Sequence, residues 1–230
     1  MNSWMHMPAA AFDLETSGVD VFSDRVVTGC VARIDGASVA CRRWLADPGV
    51  EIPAGATEVH GITTEYAQKY GRPHQDVVDE IVADLYACWA EGRYVAVMNG
   101  SFDLTMLHTY RPDFEVRGLV VDALIVDKHY DKFRRGSRKL SAVAIHYGIS
   151  LDNAHDAEAD ALAAARLAWK LPRLYPELAT FTADELMERQ TSWYREQAES
   201  YAAYRAKRGE PAIHIPTAWP IQDAPESEAA

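Results

Sequence analysis

Three strand-like segments near the N terminus constrain the fold of this chain more than any other feature. Residues 9–15 form a short, mostly apolar run of the kind expected for a buried strand. Residues 25–34 and 38–45 flank Asp35-Gly36, a pair that favours a tight hairpin turn between antiparallel strands. The sequence therefore predicts that a meander of three strands opens the fold.

The rest of the first 171 residues alternates between helical and strand-like patterns. Val77, Ile81, Leu85 and Trp89 are spaced four apart, which is typical of an amphipathic helix over residues 76–89. The order of elements predicts an α/β fold in which a mixed five-stranded sheet is flanked by helices. The further strands are expected at 94–98 and 119–121, and the further helices at 102–109, 123–130, 140–147 and 157–171.

Residues 172–230 are predicted to form a C-terminal helical extension, separate from a domain of residues 1–171. Thr182 and Glu185 have the spacing of a capping box, which predicts the start of a long helix. The expected segments are that helix at 183–208, an extended stretch at 211–222 and a short acidic, disordered tail at 223–230.

Composition limits the kinds of function open to the chain. Its 34 acidic and 23 basic residues give a formal net charge of −11, which is the wrong sign for a protein that coats nucleic acid. This argument does not apply to a protein that binds only the end of a nucleic-acid strand, because bound cations cancel the charge of the site carboxylates. Three cysteines without CxxC spacing, no apolar run of membrane length and no leader-like N terminus predict a cytoplasmic protein that does not contact a membrane.

Four carboxylates and one histidine are the candidates for chemistry. Asp13 and Glu15 lie two apart in the first strand, so both should point to the same face. Asp103 follows an apolar strand and falls in the first turn of a helix, where the helix dipole alone would favour a carboxylate. His155 and Asp160 are five positions apart, and on one helix they would point about 140° away from each other.

The two residues of the last pair can still meet if Asp156 caps the helix. His155 would then lie in the preceding loop and Asp160 one turn inside, so both side chains could reach one site. Each fragment alone has an ordinary explanation in capping or solvation. The conjunction of D-x-E, N-x-x-F-D and H-x4-D in this order is far more specific.

At these positions the chain resembles the DEDDh exonucleases, the group that includes the proofreading epsilon subunit of bacterial DNA polymerase III, RNase T and oligoribonuclease. The stretch IPAGATEVHGIT at 52–63 is similar to the family's linker after the meander, and KLSAVAIHYGI at 139–149 is similar to the helix before the third motif. The likeness covers roughly residues 9–171 and leaves 172–230 without a counterpart. It implies an RNase H-like fold and stepwise removal of 3′-terminal nucleotides.

The residue chemistry and the resemblance together imply phosphodiester hydrolysis assisted by two divalent cations, Mg²⁺ or Mn²⁺. Asp13, Glu15 and Asp160 would hold one cation, Asp13 and the substrate phosphate would hold the second, and Asp103 would act through water. A histidine can take a proton near neutral pH, which makes His155 the expected general base. The family's contacts with the terminal nucleotide imply substrate-binding roles for Leu14, Thr16 and Phe102.

Residues 128–139 gather six basic side chains in an otherwise acidic protein. One interpretation is a solvated loop. The other is contact with backbone phosphates beside the site, which would make substrate binding weaken steeply with salt. The residues expected to make that contact are Arg134, Arg135 and Arg138.

The leading hypothesis is a 3′–5′ exonuclease that acts on single-stranded DNA ends in replication or repair and releases nucleoside 5′-monophosphates. An exoribonuclease of the RNase T or oligoribonuclease type would share the same five residues. A third hypothesis is a module of a polymerase complex or a homodimer, in which the aromatic-bearing helix 186–207 docks on the partner. Packing against the domain explains those aromatics more simply. A non-catalytic nucleic-acid binder is disfavoured by the complete set of residues and by the negative charge.

Overall fold

The computed structural model describes residues 3–150 and 155–225, and the fold is built on one mixed sheet. The strands are β1 (Ala9–Thr16), β2 (Val26–Asp35), β3 (Ser38–Asp47), β4 (Arg72–Pro73), β5 (Tyr94–Val97) and β6 (Val120–Asp122). Their order across the sheet is β4-β3-β2-β1-β5-β6. β1, β2 and β3 are antiparallel neighbours, whereas β5 and β6 run parallel to β1.

Helices cover this sheet and fill the connections between its strands. They are α1 (Ala54–His60), α2 (Thr64–Tyr70), α3 (His74–Ala90), α4 (Gly100–Tyr110), α5 (Ala123–Tyr130), α6 (Leu140–His146), α7 (Ala157–Leu174) and α8 (Ala183–Lys207). Within the described ranges, no helix combines the length and the apolar character that crossing a lipid bilayer requires.

The predicted α/β fold, a mixed sheet flanked by helices, is confirmed. The hairpin falls where Asp35-Gly36 predicted it, with Asp35 paired to Ser38 and Gly36 at φ +62°. The sheet has six strands rather than five, because Arg72 and Pro73 pair with the end of β3. A strand of two residues has no periodicity from which it could be predicted.

The two faces of β1 serve different purposes. Leu14 points toward α3, where it and Ile81 close on Gly29 so tightly that a Cβ at Gly29 would lie 2.9 Å from Leu14 and 2.8 Å from Ile81. Asp13 and Glu15 alternate with Leu14 and therefore point to the opposite face, which carries α7. The packing of Leu14 thus fixes the direction in which both carboxylates project.

The C-terminal helix α8 packs on the edge strand β6. The side-chain amide of Gln190, which is fully buried, donates to the carbonyl of Val120 and accepts from the N–H of Asp122, both at 2.8 Å. The amide therefore pairs with β6 much as a neighbouring strand would. Leu186 and Trp193 are buried in the same hydrophobic core as the sheet.

The predicted division of the chain at residue 171 stays a prediction. α7 runs through Pro172 to Leu174, and the capping box of Thr182 and Glu185 is present at the start of α8. Of the predicted acidic tail, residues 226–230 lie outside the described residues.

Candidate active site

Two carboxylates project from the last part of β1. β1 pairs with β5 only over its first residues, up to Ala11, so its C-terminal half extends beyond the paired region. Asp13 and Glu15 lie in that half and are partly buried. Because β1, β5 and β6 are parallel, the segments that follow β5 and β6 begin at this same edge, where open α/β sheets place their ligands.

Asp103 reaches this edge from the first turn of α4. Its Oδ1 accepts the backbone N–H of Leu14 at 3.1 Å, and the residue is buried. Asn99, the residue directly before α4, has a left-handed backbone at φ +68°. Asp122, the last residue of β6, accepts the N–H groups of Asn99 at 3.1 Å and Gly100 at 2.9 Å. Carboxylate-to-backbone hydrogen bonds therefore link the ends of all three parallel strands.

His155 and Asp160 approach from the start of α7. The Asp156 side chain caps this helix by accepting two N–H groups at 3.1 Å. His155 lies just outside the helix with φ at +71°, a left-handed conformation that histidine adopts more readily than most residues. Its N–H donates to Oδ2 of Asp160 at 3.3 Å. The predicted cap at Asp156 is thus present, while residues 151–154 lie outside the described part of the chain.

The structure brings these side chains together. One nitrogen of His155 and one carboxylate oxygen each of Glu15 and Asp160 lie within 4.8 Å of one another. Asp13 is close enough to Asp103, Glu15 and Asp160 that each of their charges raises its pKa. All five candidates, drawn from three distant stretches of sequence, therefore meet at one end of the sheet.

Burial is the main reason that the carboxyl pKa values at this site are high, and mutual repulsion adds to it. Burial raises the pKa of Asp13 well above its ordinary value, and Asp103 and Glu15 raise it further. Burial raises the pKa of Glu15 to about 8, with a contribution from the charge of Asp160. Burial also raises the pKa of Asp103 and of Asp160. Such a cluster favours either protons or cations near neutral pH.

The donor set fits hard divalent cations. Carboxylate oxygens with one nearby imidazole suit Mg²⁺ and Mn²⁺. Oδ1 of Asp160 is buried and has no hydrogen-bond partner among the described residues, so one potential ligand atom is uncommitted. A cation would satisfy that atom and offset the repulsion between the carboxylates.

Two residues that the sequence did not single out as part of the site contribute to it. Asp122 fixes the first turn of α4 through its bonds to Asn99 and Gly100. His60, for which the sequence indicated only packing or a hydrogen bond in the linker, lines a cavity of about 130 Å³ together with His155. Burial lowers the pKa of His60, which favours its neutral form. The VHGIT motif was the available signal for His60, whereas nothing in the sequence indicated Asp122.

The residues predicted to meet the terminal nucleotide lie at the same edge. Leu14 and Thr16 belong to the C-terminal half of β1 and are buried, and the Thr16 hydroxyl donates to the carbonyl of Gly18 at 2.6 Å. Phe102 is partly buried in the first turn of α4, directly before Asp103. Their contacts with substrate stay predictions.

The predicted phosphate-binding arginines lie in the loop after α5. Arg134 and Arg138 bind the buried carboxylate of Asp127 at 2.8 and 2.6 Å, and Arg134 also binds Asp131 at 3.1 Å. Arg135 is exposed. Two of the three arginines therefore hold the loop in place, and the third faces solvent.

A mixed sheet of this order, flanked by helices and with acidic side chains at the end of β1, has the RNase H-like fold of exonucleases. The chain belongs to the RNase T family of exonucleases, whose family model matches residues 10–168, and with it to the DEDDh 3′–5′ exonucleases. The matched region includes all five candidate residues.

Relatives and solved structures agree with this assignment. The chain is 31% identical over 160 residues to a DNA polymerase III PolC-type of Clostridium perfringens, which is 68% of this chain and 10% of that protein. Exonuclease I superposes with a TM-score of 0.63 at 20% identity, covering 75% of this chain and 42% of that one. E. coli exonuclease I in complex with a dT13 oligonucleotide gives 0.61 at 19% identity, with the same coverage of 75% and 42%. The RNase H-like fold implied by the motifs is confirmed, and the chain spans about a tenth of its PolC-type relative.

Proposed function

We propose that the protein is a metal-dependent 3′–5′ exonuclease that hydrolyses single-stranded DNA from its 3′ end and releases nucleoside 5′-monophosphates. The observation that carries the proposal is the grouping of Glu15, His155 and Asp160, whose ligand atoms lie within 4.8 Å of one another. Family membership supplies the reaction class. The position of the group at the carboxyl end of parallel strands supports its use as a binding site.

Two divalent cations, Mg²⁺ or Mn²⁺, are the proposed cofactors. Asp13, Glu15 and Asp160 would hold one, Asp13 and the substrate phosphate the other, and Asp103 would contribute through water. When bound, the cations would activate the attacking water and neutralise the charge that develops on the leaving 3′-oxygen. Glu15, with its pKa raised to about 8, must lose its proton to serve as a ligand, so cations and protons compete for it.

His155 is the proposed general base. The residue is exposed, so its ring can take a proton from the attacking water and pass it on to solvent. Asp160 accepts the backbone N–H of His155 at 3.3 Å and so steadies the turn from which the ring projects. Asp103, bonded to Leu14, keeps α4 against β1, which holds Phe102 beside the same edge.

DNA is the proposed substrate because of the proteins that this chain resembles. One is named as a DNA polymerase, and exonuclease I is known in complex with a dT13 oligonucleotide. The rival substrate is RNA, since none of the five residues distinguishes a 2′-hydroxyl by its chemistry.

Digestion of matched 3′- and 5′-labelled DNA and RNA oligonucleotides, with Mg²⁺, Mn²⁺ or chelator, tests the proposal. We expect the 5′-labelled DNA to shorten in steps, the 3′ label to leave as a mononucleotide, and chelator to abolish both. Faster digestion of RNA would reassign the substrate. Release from the 5′ end, or full activity in chelator, would overturn the proposal, with Asp13→Asn as the control for contaminating nuclease.

A further inference from the structure

We propose that a groove between α8 and the loop after α5 is a second binding site for single-stranded nucleic acid and holds the strand on the 5′ side of its 3′ end. This basic–aromatic groove is lined by Lys128, Lys132 and Arg135 on one side and by Trp193, Tyr201 and Tyr204 on the other. The inference rests on the proposed function, because it assigns another part of the same substrate to this groove.

The groove is large and its floor is well packed. Its volume is about 1070 Å³, beyond the roughly 300–1,000 Å³ of typical small-molecule pockets. The ring of Trp193 stacks on His129 with centroids 4.1 Å apart and planes 17° from parallel. The amide of Gln197 donates to the carbonyl of Ile125 at 3.0 Å. α5 and α8 therefore form a fixed floor that suits an extended ligand.

Positive charge in the groove is only partly neutralised by the protein itself. The buried Asp127 engages Arg134 and Arg138, which fixes the loop. Lys132 and Arg135 are exposed and form no ion pair within the described part of the chain. Glu196 also lines the groove, but the basic residues outnumber it. Because the whole chain has a net charge of −11, this local excess of positive charge indicates an anionic ligand.

Exposed aromatic rings accompany these cations. Tyr201 and Tyr204 are 49% and 54% exposed, and Phe133, in the loop beside Lys132, is 90% exposed. Single-stranded nucleic acid needs this combination, because its bases stack on aromatic rings while its phosphates meet lysine and arginine. A duplex would hide its bases from the rings. The chemistry of the groove therefore favours a single strand.

The groove begins near the edge of the sheet that carries the proposed active site. α5 starts directly after Asp122, which also holds the first turn of α4. Lys128, in the last turn of α5, lines the groove. From α8, the Tyr194 hydroxyl contacts that of Ser101 at 3.4 Å, next to Phe102. We place the rest of the strand along α5, which leads from this edge of the sheet to the groove.

Fluorescence anisotropy in chelator tests the groove apart from the site, since without cations the site carboxylates repel phosphate. Labelled oligo-dT and oligo-rU serve as probes. The groove variants are Lys132→Ala/Arg135→Ala and Tyr201→Ala/Tyr204→Ala. The matched controls are Lys69→Ala/Arg117→Ala and Tyr66→Ala/Tyr70→Ala, which change exposed residues of the same types elsewhere on the surface. Thermal unfolding of each variant confirms that it is folded.

The expected result is a loss of affinity confined to the groove variants. For probes longer than the roughly 4–16 nucleotides that one such site covers, the tyrosine variant should raise Kd by at least about tenfold. The charge variant should reduce the slope of log affinity against log salt by about 0.7 for each phosphate that the protein no longer neutralises. With Mg²⁺ present, the tyrosine variant should raise KM for long substrates while its kcat on very short ones stays unchanged.

Wild-type affinity in both groove variants, equal losses in the control variants, or no binding of either probe by the wild type would overturn the proposal. If the groove binds a protein partner instead, the wild type should bind neither probe. If the wild type bound oligonucleotides through the groove but degraded neither DNA nor RNA, the proposed function would fail while the groove stood. If the wild type degraded oligonucleotides but the groove variants bound them as tightly as the wild type, the groove proposal would fail while the proposed function stood.

Discussion

The backbone N–H of Leu14 donates to the carboxylate of Asp103 at 3.1 Å and joins two residues that are 89 positions apart in the chain. β1 pairs with β5 only up to Ala11, so this donor on β1 has no strand partner on that side. Asp103 supplies the acceptor that a longer β5 would have supplied. The same bond that completes the sheet therefore holds a buried carboxylate beside Asp13.

Asp103 has two roles, as a charged group of the site and as the acceptor of the Leu14 N–H. Replacing it with asparagine or with alanine should separate them. Asp103→Asn keeps an acceptor for the Leu14 N–H, so it should fold normally and lose activity with the charge. Asp103→Ala leaves that buried donor unpaired and should lower the free energy of unfolding by about 1–3 kcal/mol. Urea unfolding in chelator, beside an exonuclease assay, measures both effects. Equal stability of the two variants would show that the bond does not hold α4 to β1.

Glu15 should make the cation-free protein less stable as the pH rises. Its pKa is raised from 4.5 to about 8 in the folded state by burial and by the charge of Asp160. The folded state therefore binds more protons than the unfolded state between these two values, and the free energy of unfolding falls as the pH rises through that window. In Glu15→Gln this contribution is absent.

The measurement is the melting temperature in chelator over a pH range of about 5 to 9. The melting temperature of the wild type minus that of Glu15→Gln should fall as the pH rises across this range. Saturating cation should remove the decline, because it binds the deprotonated carboxylate. A difference that is flat or that rises with pH in chelator would contradict the assignment.

Divalent cations should stabilise the wild type but not Asp13→Asn. In chelator the variant should melt at the same temperature or higher, because it removes a carboxylate whose pKa is raised by burial and by its acidic neighbours. At a cation concentration about 100-fold above Kd the wild type should gain about 2.7 kcal/mol, or about 5–10 °C in Tm. Differential scanning fluorimetry with Mg²⁺ and Mn²⁺ measures the shift, and the exposed Asp113→Asn is the control. An equal shift in Asp13→Asn would place the cations elsewhere.

Gln190→Ala should destabilise the whole domain, although the residue lies in the C-terminal extension. The substitution leaves the carbonyl of Val120 and the N–H of Asp122 unpaired in a buried environment. At about 1–3 kcal/mol for each unpaired group, the free energy of unfolding should fall by about 2–6 kcal/mol. Urea unfolding tests this, with the exposed Gln75→Ala as the control. If the free energy of unfolding fell no more than in the control, the contacts of Gln190 with β6 would not stabilise the domain.

The motifs predicted the site better than they predicted what supports it. The spacing of Asp13 and Glu15 on a strand indicated a shared face, and the capping role of Asp156 indicated that His155 could turn back toward Asp160. Both expectations follow from local geometry. The contribution of Asp122 does not, because it depends on hydrogen bonds to a turn 22 positions away.

The basic run shows the same limit. Arg134 and Arg138 are indistinguishable from Arg135 by sequence, yet the buried Asp127 engages the first two and leaves the third exposed. Asp127 sits on the preceding helix among apolar residues, and only the packing of α5 decides which way it points. Composition could therefore predict a basic loop but not which of its charges are free.

The most direct test of the central claim is the rate of 3′-nucleotide release by wild type, Asp13→Asn and His155→Ala, purified identically and assayed with Mg²⁺ on the same oligonucleotide. We predict no release above the chelator background for Asp13→Asn. For His155→Ala we predict a fall of about 10²–10⁴-fold, with the cation-dependent rise in Tm retained. Equal rates in all three proteins would contradict the proposed mechanism.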